Sequence, residues 1–161
     1  MIQVLSWAGK NEESLRLTEK AERTCPGLSD VPSYRGRLLE KMGREDEAMK
    51  CYREAFRRNP QDSLALSRLA FASLKRREFE AARAYFATAI LCTPQSAPLS
   101  FRANLRMGLG VAFAQLKQWK EAKLEFQAVL RLTPDMAEAK QYLDQVEAEL
   151  AETPNNDPRV P

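Results

Sequence analysis

The sequence predicts an all-α chain built from repeated antiparallel helix pairs, and three observations carry that prediction. Pro26, Pro60 and Pro94 lie 34 residues apart, and Pro134 follows after 40, one period plus six residues. Ahead of each of the last three prolines the same small–aromatic–small order recurs: Ala48, Tyr52 and Ala55; Ala82, Phe86 and Ala89; Ala122, Phe126 and Val129. A further small residue, Gly36, Ala70 or Gly110, precedes its proline by 24 residues in every case. Self-similarity at a fixed period of this length is the mark of stacked structural repeats.

Each element has a physical reason. Steps of four and three residues put the small–aromatic–small set on one face of a helix. Small residues let two helices approach closely, and the aromatic ring fills the space beside them. Proline then ends the helix, because it lacks an N–H and disfavours helical geometry in the residue before it. The upstream segments RGRLLEKM, LSRLAFASLKR and RMGLGVAFAQLKQ are amphipathic and carry Gly36, Ala70 and Gly110. One period is therefore a first helix (A), a turn and a second helix (B).

These positions resemble the tetratricopeptide repeat (TPR), with its Leu–Gly in helix A and Ala, Phe/Tyr, Ala and Pro along helix B. The resemblance covers roughly residues 1–150 and implies a solenoid of antiparallel helix pairs wound as a right-handed superhelix. In that frame the repeats start at Ser29, Ser63 and Ala103. The expected organisation is a partial, degenerate repeat over 1–28 and repeats over 29–62, 63–96 and 97–136. The last of these carries a six-residue insertion at its start; a capping helix over 137–152 and a disordered tail over 153–161 follow. Pro32 and Arg35 stand where the family prefers large apolar residues, which predicts a late, poorly packed first helix in that repeat. The insertion within QSAPLSFRAN either lengthens a helix or forms a loop, and Pro98 as a first-turn residue favours the helix.

The ends are less regular. Aligned on Pro26, Ala21 takes the second small position, while Ser14 and Thr18 replace the first small residue and the aromatic. Residues 1–8 then read as the last half of a helix A. The chain is expected to be a piece of a longer array or to open on an abbreviated cap. Ile2, Val4, Leu5 and Trp7 predict an adhesive or loosely ordered end, since a terminal repeat needs a polar outer face. At the other end Met136, Ala139, Leu143 and Val146 form one apolar face among acids, and Asp135 suits the helix start. The tail TPNNDPRVP is rich in Pro and Asn.

Composition narrows the function. Hydrophobic residues make up 44% and charged residues 29% of the 161, ordinary for a soluble protein. No apolar run nears the roughly 20 residues that span a bilayer, and no secretory signal opens the chain, which leaves the cytoplasm as the default location. Cys25, Cys51 and Cys92 are widely spaced and there is no histidine, so no metal site is expected. The missing histidine removes the usual acid–base and triad chemistry. Gly108 and Gly110 sit inside a helix pattern and form no phosphate loop, and Glu12, Glu13 and Glu45 to Glu47 mark helix starts. The chain reads as no enzyme, without a cofactor. Its charge is uneven: residues 35–77 carry twelve Lys/Arg against six Asp/Glu, and residues 135–161 two against seven.

The resemblance also implies where a partner sits, because TPR proteins usually bind extended or helical peptides along a concave wall of A helices. The wall positions expected to make contact are Tyr34, Arg37, Leu64, Arg68, Phe71, Leu74, Lys75, Met107 and Val111. Exposed apolar groups ringed by cations mark a binding surface. The expected partner is another protein, offering a peptide or amphipathic helix with apolar anchors and an acidic group. Co-chaperones of this family that grip a terminal carboxylate use Lys, Asn and Arg at set places. Ser33, Arg37, Arg68, Asn104 and Gly108 stand there and do not match. The alternatives are nucleic-acid binding through Arg57, Arg58, Lys75, Arg76 and Arg77, and self-association through the N-terminal face.

Overall fold

The computed structural model describes residues 11–25, 27–28 and 30–152. The expected half-helix over 1–8, the tail over 153–161, Pro26 and Ser29 lie outside the described residues. Among those described there are eight helices and no strand. In order they are α1 (Asn11–Thr24), α2 (Val31–Lys41), α3 (Glu45–Arg58), α4 (Ser63–Lys75), α5 (Phe79–Cys92), α6 (Leu99–Gln115), α7 (Trp119–Leu132) and α8 (Ala137–Glu152). The chain divides into two compact units, the first reaching to Leu69 and the second starting at Ala70.

In the first unit the core joins Leu15, Leu39, Ala48, Tyr52, Ala55 and Ala65. The small–aromatic–small face of α3 is buried, with Tyr52 and Ala55 fully enclosed. Gly36 on α2 allows this: a methyl group there would lie 2.8 Å from the Tyr52 ring. Ser14 and Thr18 of α1 take the equivalent buried positions, and the Thr18 hydroxyl donates to the Leu15 carbonyl at 2.7 Å. The late, poorly packed start expected for α2 is half met. The helix begins at Val31, two residues into its repeat, whereas α4 begins on the first residue of the next. Yet Pro32 is buried in the first turn, where its missing N–H costs nothing. Arg35 is held by Glu22 at 3.1 Å and Glu19 at 3.6 Å.

In the second unit Ala82, Phe86 and Ala89 of α5 and Ala122, Phe126 and Val129 of α7 are all fully buried. Phe126 is central to a core with Ala103, Met107, Ala139 and Val146, and stacks on Tyr142 of α8 with centroids 5.4 Å apart. A methyl at Gly110 would lie 2.7 Å from the Phe126 ring, and one at Gly108 would lie 2.2 Å from Phe86. Helix α6 starts four residues before Ala103, so part of the insertion lengthens the helix while Pro98 stands just ahead of it as the N-cap.

The turns between A and B helices share one geometry. After α2, Gly43 N–H donates to the Glu40 carbonyl (3.0 Å) and Arg44 N–H to Leu39 (2.9 Å). The pairs Arg77 to Leu74 with Glu78 to Ser73, and Lys117 to Ala114 with Gln118 to Phe113, repeat it. Such a Schellman closure places one residue in the left-handed region. Those residues are Gly43, Arg77 and Lys117, with φ of 75°, 62° and 58°.

Candidate functional site

The first unit holds a cleft of about 290 Å³ lined by Asp30, Ser33, Tyr34, Arg37, Asn59, Gln61, Asp62, Ser63 and Leu64. It gathers three residues expected on the wall, Tyr34, Arg37 and Leu64. Helical spacing of α2 puts Ser33, Tyr34 and Arg37 on one side of that helix. The α3–α4 connection supplies the other side and is itself braced. The Ser33 hydroxyl donates to Asp62 Oδ2, and Asp62 Oδ1 accepts the Ala65 N–H at 2.9 Å, capping α4. Asn59 Oδ1 accepts the Gln61 N–H at 3.0 Å. Asn59, Gln61 and Asp62 were not among the expected contacts, because a wall inferred from helix phase omits connecting loops.

Within this cleft Arg37 is the cation. Its Cζ lies 5.2 Å from the centre of the Tyr34 ring, and its Nε is buried with no hydrogen-bond partner. Stacking on an aromatic holds a guanidinium flat while leaving its N–H edge for a ligand.

Arg68 differs from expectation. It faces Glu40, with Nε 3.3 Å from Oε2, and that same carboxylate oxygen accepts the Tyr52 hydroxyl at 3.2 Å. Burial, then the Glu40 charge, pushes the Tyr52 phenol well above its usual range. Arg68 is thus the counter-charge of a Tyr52–Glu40–Arg68 chain that runs from the core to the half-exposed surface, a role invisible in a pattern that assigns it only to a face.

In the second unit the expected contacts divide. Met107, expected on the wall, is 8% exposed and belongs to the core with Ala103, Phe126, Ala139 and Val146. Phe71 is half-buried, edge-on to Phe86 with centroids 4.9 Å apart. Val111 is half-buried against the same core as Met107, Leu74 is half-buried, and Lys75 is exposed.

A second, charged cleft of about 400 Å³ lies on another side of α2, lined by Glu22, Pro32, Arg35, Leu39, Glu47, Lys50, Cys51, Glu54 and Arg58. Its acids and bases are largely paired with each other. Glu54 holds Arg57 at 2.8 Å and Arg58 at 2.7 Å, so these two basic residues are engaged within the helix. Burial pushes the Cys51 thiol up, away from the reactive thiolate. All three cysteines are free. Among the described residues no cluster of acids and cysteines could hold a metal ion, and no helix is long and apolar enough to cross a membrane.

Comparison with known proteins places these features. A family model described as "Domain of unknown function (DUF7017)" matches residues 31–153. Among solved structures, the protein MamA (residues 41 to its end) from Desulfovibrio magneticus RS-1 is similar with a TM-score of 0.70 at 19% identity, covering 94% of this chain and 82% of that one. The second TPR domain of human RPAP3, solved in complex with the HSP70 peptide SGPTIEEVD, gives a TM-score of 0.60 at 25% identity, covering 76% and 98%. The Arabidopsis OM64 TPR domain gives 0.60 at 23%, covering 75% and 95%.

Proposed function

The chain belongs to the family described as "Domain of unknown function (DUF7017)" and has the tetratricopeptide-repeat fold, and on that premise we propose that it is a non-catalytic scaffold whose A-helix wall binds a segment of another protein. The segment is a peptide or amphipathic helix with apolar anchors and an acidic group. The observation that carries the reading is the first unit's cleft, where Tyr34, Arg37 and Leu64 meet around a buried, unpartnered guanidinium nitrogen. An uncompensated donor of this kind is costly unless a ligand or water completes it. The RPAP3 domain, similar in fold, holds a peptide, which supports a peptide as the ligand class here.

In this reading Tyr34, Arg37 and Leu64 make the polar and apolar contacts of the first unit. Phe71, Leu74, Lys75 and Val111 present the half-buried or exposed surface of the second. Met107 acts behind the wall as structural support, and Arg68 stands at the surface paired with Glu40. Nucleic-acid binding has less support, because Arg57 and Arg58 are paired with Glu54 and leave only the short cluster Lys75, Arg76 and Arg77.

The test is affinity capture from a cell lysate with the wild type and an Arg37→Glu/Leu64→Ser variant, after circular dichroism shows equal helicity. Partners retained by the wild type and lost by the variant are expected. Identical partner sets would move the function to another face. Arg68→Glu is unsuitable, since it would set two carboxylates side by side at Glu40 and damage the fold.

A further inference from the structure

Two departures from the repeat pattern come together at the junction of α5 and α6, and neither belongs to the wall. The first is a leucine. Three residues before the closing proline, the other repeats carry Arg23, Arg57 and Arg131, all exposed, whereas α5 carries Leu91, 86% exposed. The second is the added stretch before Ala103, which gives α6 an extra turn bearing Leu99, 53% exposed, and Arg102. Leaving two leucines in water does nothing for the fold, and exposed apolar groups beside charge mark an interaction surface. We propose that this junction is a second protein-docking surface. Its partner is an acidic segment of another protein, which sets a large apolar side chain against Leu91 and Leu99 and an Asp or Glu carboxylate against Arg102.

The charge of the partner follows from the surroundings of Arg102. From Ala81 to Lys120 the chain has five Lys or Arg and no Asp or Glu. Arg106 is paired across to α7, with Nη1 2.8 Å from Glu125 Oε2. Arg102 has no carboxylate among the described residues; its guanidinium donates to the Gln95 carbonyl at 3.4 Å. It also stands in the first turn of α6, which holds no acid and where the helix dipole disfavours a cation. An incoming carboxylate answers both. Beside Arg102 is a cavity of about 60 Å³, lined by Ile90, Thr93, Gln95, Arg102, Leu105 and Arg106, with room for a small side-chain group. A membrane surface would make no use of such a cavity. A second copy pairing through the same junction would set one carboxylate-free surface against another.

The junction is separate from the wall. Val111 follows Arg102 by nine residues, about two and a half turns, so the two project from opposite sides of α6.

The experiment selects random amidated synthetic peptides on the whole chain carrying Arg37→Glu/Leu64→Ser, so that peptides held by the first unit's cleft are not recovered. Enriched peptides are expected to pair an Asp or Glu with a large apolar residue. They should lose about tenfold in affinity when Leu91→Arg, which restores the residue of the other repeats, or Arg102→Gln is added. Changing the peptide's acid to its amide should cost about as much, and little more when combined with Arg102→Gln. A selection in which no peptide responds to both variants would overturn the proposal and leave the wall reading standing. Binding to vesicles of equal parts phosphatidylcholine and phosphatidylserine, lost on Arg102→Gln, would overturn it in favour of a membrane surface. A concentration-dependent mass in light scattering that Leu91→Arg abolishes would overturn it in favour of a second copy.

Discussion

Gly43, Arg77 and Lys117 occupy the same left-handed position in their three turns, with φ between 58° and 75°. Glycine takes that conformation freely, whereas a residue with a Cβ is strained there by about 1–2 kcal/mol. Glycine also loses more backbone freedom on folding, by about 0.5–1 kcal/mol, so the net gain from substituting it is smaller. Lys117→Gly is therefore expected to stabilise the chain by about 0.5–1 kcal/mol, read as a higher denaturant midpoint at unchanged slope. Arg77→Gly should gain less, because the Arg77 guanidinium lies 5.9 Å from the Phe79 ring and that contact would go. A fall in the midpoint for Lys117→Gly would mean that the side chain makes a contact worth more than the strain. The sequence does not announce these positions, since neither Arg nor Lys signals a left-handed residue. The match becomes visible only when the three turns are compared as backbone.

Among the elements, α3 shows how charge is arranged along a helix. Glu45, Asp46 and Glu47 lie in its first turn and Arg57 and Arg58 in its last, each sign at the end of the dipole that favours it. Hydrogen bonds from Arg57 and then Arg58 hold the Glu54 carboxyl down, from 4.5 to about 2. A lowered folded-state value means that the carboxylate contributes stability above its unfolded value and loses it as pH falls toward its folded one. The gap in melting temperature between wild type and Glu54→Gln should be fully open at neutral pH. It should narrow as pH falls from 4.5 and close near about 2. A gap independent of pH would show that the ion pairs are not its source. The effect is modest, as solvent screens pairs at the surface. Helix α1 makes a different point: Thr18 fills the aromatic's place, and its buried hydroxyl bonds to the Leu15 carbonyl of its own helix.

At the scale of the whole molecule, each unit has its own core, and in repeat folds contacts run mainly between neighbours in the chain. Phe126 is fully buried, abuts Gly110 and stacks on Tyr142. Phe126→Ala should destabilise by about 3–5 kcal/mol. Hydrogen exchange should accelerate first in α6, α7 and α8, with α2 and α3 retaining more of their protection. Uniform acceleration across all eight helices would mean that the chain unfolds as one cooperative body.

The sequence by itself determined the helix pairs and their buried face. Fold period, proline stops and the small–aromatic–small order are local properties, each set by the geometry of one helix, and Tyr52, Phe86 and Phe126 are enclosed where that order puts them. Tyr34, Arg37 and Leu64 came as wall positions from the family frame that the repeat pattern sets, and the structure brings the three to one cleft. What only the tertiary structure decided is which side chains have capacity left for a partner. Arg37 and Arg68 are the same residue type on the expected wall, yet Arg68 is set against the Glu40 carboxylate while Arg37 lies beside the Tyr34 ring. Met107 and Val111 share a phase, yet Met107 is buried in the core of its unit and Val111 is half-exposed at its edge. Pairing and burial depend on what neighbouring helices bring to the same place, and no periodicity within a single helix encodes that.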